Sequence, residues 1–337
     1  MAIKTHSILG VSTMSANSTN RYTRTNPNIN RNPLWNFTLP ATFQGTVAGY
    51  ASRGTTINKF PFATDANATD VGNLISDREA AGQSSSTHGY VSGGYASNVI
   101  EKFPFASNGN STDVADLTVA RRNLTGQSSS VDGYTSGGNN PPGYFNVIDK
   151  FPFAADANAT DVGDLTMART YLAGQSSTVS GYSSGGFSPA SGTPNSATNR
   201  IDKFPFATNA NATDVGDLSS GNDRVAGQSS TVSGYVTGGT NASPVRIIDK
   251  FSFASDANAV GVAFITVGGP RIDVTGQSST ASGYTTGGYF NAPPSSVGPV
   301  GYSATNIIEK FPFATDASAT DVGDLTAAQR QATGQQD

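Results

Sequence analysis

The chain has 337 residues, of which only 13% are charged, with a formal net charge of −4 and no cysteine. These figures exclude disulfides, thiolate metal sites and a thiol nucleophile, and they disfavour a nucleic-acid-binding surface. No apolar run approaches 18 residues, so no membrane span is expected.

Residues 1–40 stand apart from the rest of the chain. They hold Lys4, Arg21, Arg24 and Arg31 and no acidic residue. The stretch TNRYTRTNPNINRNP contains two Asn-Pro steps, which favour extended or turn backbone over helix. The single tryptophan, Trp35, comes next, in PLWNFTLPAT. The expectation is an extended arm. It either packs along the body with Trp35 as an apolar peg or docks into a larger assembly through Arg21, Arg24, Arg31 and Trp35. The opening MAIKTHSILGVSTMSANS has no long apolar core and no cleavage-site pattern, so synthesis in the cytoplasm without signal-peptide export is expected.

From residue 41 to 337 the chain repeats. KFPFATDANATDVGDLT and its variants begin at Lys59, Lys102, Lys150, Lys203, Lys250 and Lys310. Periods of this order signal propellers or solenoids. One unit reads as four short strands bounded by Gly, Pro, Asn or Asp: GQSSS (Gly126 to Ser130), GYTSGG (Gly133 to Gly138), FNVIDKFPF (ending at Phe153) and NATDVGDL (ending at Leu165). No segment sustains a 3.6-residue apolar period, which argues against helix.

The strand period of two places Phe103 and Phe105 on one face and Ile100 and Lys102 on the other, so each sheet needs a neighbour on both sides. The proline of KFPF, replaced by Ser252 in the fifth copy, cannot donate to a ladder and should mark a strand end. The diglycines, such as Gly93-Gly94 and Gly185-Gly186, suit positive φ. GQSSS is small and polar, as an innermost strand near an axis requires. Its Gln83, Gln127, Gln175, Gln228, Gln277 and Gln335 should form a ring of amides bonded to backbone or channel water.

Closure can be counted. Six Gly-Tyr dipeptides stand at second-strand positions, beginning at Gly49, Gly89, Gly133, Gly181, Gly234 and Gly283. The chain enters the repeat part-way at TFQGTVAGY and leaves it part-way at TGQQD. The expected fold is all-β: a six-bladed propeller in which N- and C-terminal pieces close one blade, removing the free sheet edges.

In such a blade the second-to-third loops and the blade-to-blade links share one face. The third-to-fourth loop, ATDANATD, hardly varies. The second-to-third loop varies greatly. It grows to NNPPGYFN at 139–146, FSPASGTPNSATNR at 187–200 and YFNAPPSSVGPVGYSATN at 289–306. These carry Tyr144, Phe145, Phe187, Tyr289, Phe290 and Tyr302, and long aromatic loops on a rigid scaffold are where binding usually sits. Aromatic faces beside Asn and Ser suit a sugar or a protein partner; the alternative is packing against other subunits or a second copy of the chain. Arg78, Arg121, Arg169, Arg224, Arg271 and Arg330 recur on the same face. Their expected role is a structural bond to loop carbonyls or a neighbouring carboxylate, with an anion-binding ring as the alternative.

Enzyme chemistry and cofactors are not expected. DANATD has alternating oxygens but lacks the glycine and distal bidentate Glu of a calcium loop, so a turn bonding its own backbone is favoured. His6 and His88 are the only histidines, too few for a three-His zinc site. A carboxylate pair for glycoside hydrolysis should be singular, whereas nearly all Asp residues recur; Asp132, Asp223 and Asp273 are the irregular ones, and nothing in the sequence joins them.

The diglycine after an aromatic strand (GYVSGG, GYTSGG), the aromatic third strand (VIEKFPFAS) and the Arg after the fourth strand (Ala120-Arg121, Ala168-Arg169) resemble the kelch repeat over about residues 42–337. A Trp usual near the fourth strand of that family is replaced by the Val and Leu of DVGDL. The near-identical units also resemble kelch-like structural proteins of marine bacteriophages. That resemblance implies a virion component: a tail or head appendage whose arm contacts other virion proteins and whose loop face meets a host-surface glycan or protein. The alternative is a purely structural adaptor or decoration.

Overall fold

A computed structural model describes residues 44–190, 196–291 and 302–337. They form six antiparallel blades around an axis, five of four strands and the sixth of six, with no helix among the described residues. The expected propeller is the observed one. GQSSS does supply the innermost strands: Ala81–Ser84, Thr125–Ser128, Ala173–Ser176, Ala226–Ser229 and Thr275–Ser278 in blades 2 to 6. Blade 1 takes its innermost strand, Thr333–Gln336, from the C-terminus. It pairs antiparallel with Ala48–Arg53, Gly49 lying opposite Gln336. The third strands end on the KFPF proline, as in Val99–Pro104 and Val147–Pro152, and on Ser252 in the fifth copy. Gly93 and Gly94 have φ of 76° and 126°, as their pairing suggested.

One three-ring contact repeats at every blade interface. The tyrosine of each Gly-Tyr stacks on the second KFPF phenylalanine of the next blade and tilts against the first. Tyr90 lies 4.9 Å from Phe153 and 5.5 Å from Phe151; Tyr134 lies 4.7 Å from Phe206 and 5.6 Å from Phe204. The sixth contact, Tyr284 on Phe62 at 4.8 Å, joins blade 6 to blade 1. Such pairs contribute about 0.5–1.5 kcal/mol beyond simple burial.

The glycine before each tyrosine is equally constrained. Gly133 pairs across the strands with Phe151, and a Cβ there would strike the Phe151 ring. The same holds at Gly49, Gly89, Gly181, Gly234 and Gly283 with their own phenylalanines. Glycine thus opens the slot into which its own blade's phenylalanine lies flat, and tyrosine reaches the other way to the next blade.

At the axis the innermost strands crowd together. A Cβ on Gly126 would meet the carbonyl oxygen of Gly82, and one on Gly174 that of Gly126, around the ring to Gly334 and Gly276. One residue on, the amides form the expected ring and bond backbone carbonyls. Gln83 Nε2 donates to the Tyr134 carbonyl at 3.0 Å, Gln127 to Tyr182 at 3.0 Å, and Gln335 to Tyr90 at 2.9 Å.

The constant loops face the opposite end. Lys102 pairs with Asp156 at 2.6 Å and Lys203 with Asp256 at 2.9 Å, each in the next blade. Where that loop has Asn108 or Asn209, Lys59 and Lys150 bond to the amide oxygen instead. Within DANATD, the Asn158 side chain accepts the Asp116 amide of the preceding blade, and Asp161 accepts the Gly163 amide. Asp161 thus bonds its own turn, as expected, whereas Asn158 bonds the backbone of the preceding blade instead of its own.

Phe151→Ala removes a ring packed on both its own glycine and Tyr90. It should cost about 3–5 kcal/mol of unfolding free energy, read from urea denaturation. Val131→Ala, at a position 62% exposed, should change it by less than about 0.5 kcal/mol.

Candidate functional site at the axial mouth

The links between blades carry two successive features before each innermost strand. The first is a buried ion pair. Arg121 Nη1 lies 2.8 Å from Asp149 Oδ2 and Arg169 Nη2 lies 3.0 Å from Asp202 Oδ2, all four side chains fully buried. Arg78 with Glu101 and Arg271 with Glu309 repeat the pairing. The structural role expected of these four arginines is the observed one. Arg224 and Arg330, grouped with them from the sequence, belong elsewhere. The ring position is occupied by Asn222 in blade 5 and Gln329 in blade 1, where Asn222 O and Gln329 O accept the diglycine amides just as Arg121 O and Arg169 O do.

The second feature is the rim of the axial mouth. The residue four before each glutamine is Glu79, Asn123, Tyr171, Arg224, Asp273 or Gln331. Main-chain bonds run from each to the one before: Asn123 N to Glu79 O (3.1 Å), Tyr171 N to Asn123 O, Arg224 N to Tyr171 O, Asp273 N to Arg224 O and Gln331 N to Asp273 O. The last five of these residues have φ between 50° and 59°, a left-handed turn that aims the chain down the axis. The backbone repeats at these five, yet the six side chains are all different.

Below the rim come Leu124, Leu172, Val225 and Val274, then Ala or Thr, then the glycine waist. Together they enclose a cavity of about 140 Å³, a size that accommodates one six-membered ring. A smaller cavity of about 70 Å³, lined by Gly, Gln and Ser, lies beyond the waist.

The rim is charged and balanced. Arg224 lies 3.4 Å from Asp273 and 3.5 Å from Asp223; Arg122 lies 3.2 Å from Glu79; Arg330 reaches Asp273 at 3.9 Å. Asp223 and Asp273, which nothing in the sequence joined, therefore meet through Arg224. Burial pushes the Asp223 carboxyl up to about 6, with Arg224 opposing and Asp273 adding to the rise. Burial also raises Asp273, partly offset by Arg224 and Arg330. Three guanidinium planes rest on aromatic rings: Arg122 over Tyr95 at 4.7 Å, Arg224 over Tyr171 at 4.6 Å and Arg330 over Tyr289 at 4.3 Å. A stacked guanidinium keeps its edge donors in a fixed fork for carboxylate or hydroxyl oxygens.

The long loops surround this mouth and pair with the links. Asn139 bridges Arg122, Phe187 bridges Thr170, and Tyr289–Phe290 pair with Arg271–Ile272. Of the aromatic residues singled out in the sequence, Tyr144 and Phe187 meet at 5.9 Å across blades 3 and 4. Tyr289 lies under Arg330 in blade 6. Phe145 is half-buried, and its main chain bonds Gly138 and Arg169. Phe290 is half-buried beside Tyr289. Tyr302 opens the strand Tyr302–Pro312, opposite Asn291. Residues 191–195 and 292–301 of these loops, and Arg21, Arg24, Arg31 and Trp35 of the arm, lie outside the described residues.

Neither a protein-family model nor a curated protein matches the chain. Among solved structures it is similar to the one titled Structure of YjhT. The TM-score is 0.62 at 13% identity, covering 76% of this chain and 86% of that one. A likeness at that identity shows the fold alone. The fold is a six-bladed β-propeller.

The raised Asp223 carboxyl gives a signed prediction. A carboxylate whose folded pKa exceeds its unfolded value destabilises the fold as pH rises through that window. Asp223→Asn should therefore gain stability relative to wild type between pH 4 and about 6, reaching about 3 kcal/mol above it. Urea unfolding at a series of pH values measures this; a difference that does not grow over that window contradicts the assignment.

Proposed function

We propose that this protein is a non-enzymatic recognition module whose variable face binds a glycan or protein of a host cell surface. The observation that carries the reading is the rim: six corresponding positions, five of them sharing one left-handed backbone turn, with six different side chains, above a cavity sized for one ring. Constancy elsewhere serves the fold, so variation confined to one concave face marks where selection acted on contacts outside the molecule. Stacked arginines and aromatic rings beside Asn and Ser are the groups that recognise sugars with acidic or hydroxyl substituents.

We place the protein on a bacteriophage virion, as a tail or head appendage attached to other virion proteins through residues 1–40. That placement rests on the resemblance of the KFPFATDANATDVGDLT units to phage structural proteins. The diglycines at positive φ and the buried link arginines support the kelch-like reading of the blades.

Purified protein presented with acidic and neutral surface polysaccharides should bind at least one of them. Arg224→Ala should weaken that binding by at least about tenfold, the loss of one charged hydrogen bond of about 1.5–3 kcal/mol. Failure to bind any host polysaccharide or intact host cell would contradict recognition and favour a structural adaptor.

A further inference from the structure

The buried ion pairs contain one mismatch. In blades 2, 3, 4 and 6 a link arginine neutralises a third-strand carboxylate. In blade 1 both members are uncharged, Gln329 and Asn58, so charge was lost from the two sides together. In blade 5 only one side changed. Asn222 replaces the arginine, but Asp249 remains, each about 1% exposed.

The replaced guanidinium did more than pair with a carboxylate. Arg169 Nη1 donates to the carbonyls of Gly185 (2.8 Å) and Arg200 (3.0 Å), and its Nη2 to that of Ser183 (2.7 Å). Arg271 bonds Gly287 O at 2.9 Å in the same way. The register is conserved in blade 5. Val236 lies opposite Asp249 as Ser183 lies opposite Asp202. Gly238 N bonds Ile247 O as Gly185 N bonds Arg200 O. The carbonyls of Val236, Gly238 and Ile247 therefore hold the positions that cage a guanidinium in blade 4. Asp249 Oδ1 and Asn222 Oδ1 are both buried without a hydrogen-bond partner. The Asn222 amide has turned away to donate to Ser220 Oγ at 3.1 Å. Ser219 reaches the Asp249 carboxyl, its amide donating to the other oxygen at 3.3 Å and its side chain bonding there too. Burial raises the Asp249 carboxyl accordingly.

We propose that blade 5 binds a monovalent cation, sodium or potassium, between Asn222 and Asp249, in the place a guanidinium takes in four other blades. The cage consists of oxygens alone: the Asp249 carboxylate, the Asn222 amide oxygen and the three carbonyls. Oxygen cages suit hard cations. One carboxylate calls for one positive charge, as in the arginine-paired blades, whereas divalent sites recruit more acidic ligands. The site is far simpler than the rim and independent of it; its purpose is to hold blades 4 and 5 together where the chain has given up an arginine.

Thermal unfolding at neutral pH and fixed ionic strength tests this, with sodium, potassium or bulky tetramethylammonium as the only cation. Wild type should melt higher in sodium or potassium. Tm should rise by roughly 2–4 °C for each tenfold increase in the bound ion beyond its dissociation constant. The better of the two ions identifies the occupant. Asn222→Arg, which restores the guanidinium, and Asp249→Asn, which removes the charge, should each abolish the dependence. Equal Tm in all three salts would overturn the proposal. Dependence that persists in both variants would overturn it by placing the ion elsewhere. The wild-type comparison remains decisive if either variant fails to fold.

Discussion

The ring depends on one contact made six times, a tyrosine of one blade stacked on two phenylalanines of the next. Each contact needs a glycine beside the tyrosine, because the phenylalanine of the same blade lies flat over that position. Six such contacts close only if the last returns to the first. Tyr284 on Phe60 and Phe62 is that closure, reinforced by the C-terminal strand beside Ala48–Arg53. Because the contact is circular, a change at one interface strains the rest, which explains why KFPF and Gly-Tyr vary so little along the chain.

The polar repeats divide the labour by position. At one end, lysines and DANATD turns tie each blade to the next with exposed bonds, individually weak. At the other, fully buried arginines pin the links. A broken buried pair is far more costly than an exposed one, so the blade 5 mismatch cannot be dismissed as ordinary drift. Constant solutions to both problems leave the axial rim free to vary, since its six positions are joined in series by five main-chain bonds that use no side chain.

Strand order, blade number, closure and the innermost position of GQSSS were legible because each is a repeated pattern with a repeated physical cause. The rim was not, because a singular residue has no period. Fixed landmarks on either side of the link reveal it. Measured four residues forward from Leu74, Leu117, Leu165, Leu218 and Leu325, the sequence reads Arg78, Arg121, Arg169, Asn222 and Gln329, which separates Arg224 and Arg330 from the buried set. Measured four residues back from each glutamine, it gives the six unlike rim residues. Links of unequal length obscure both registers when the arginines are aligned with one another. The pairing of Asp223 with Asp273 through Arg224 needs the ring itself, since the two lie in successive links that only the blade geometry brings together. The prominent loop aromatics were visible at once, yet only the Tyr144–Phe187 contact and the Arg330–Tyr289 stack show how they are held.

The proposed partner would meet the variable rim and not the constant face. Hydrogen-exchange mass spectrometry of the protein with and without a host surface-polysaccharide extract tests it most directly. Exchange should slow at the links around Asn123, Tyr171, Arg224 and Asp273, with the DANATD loops unchanged. Protection confined to those constant loops would contradict it.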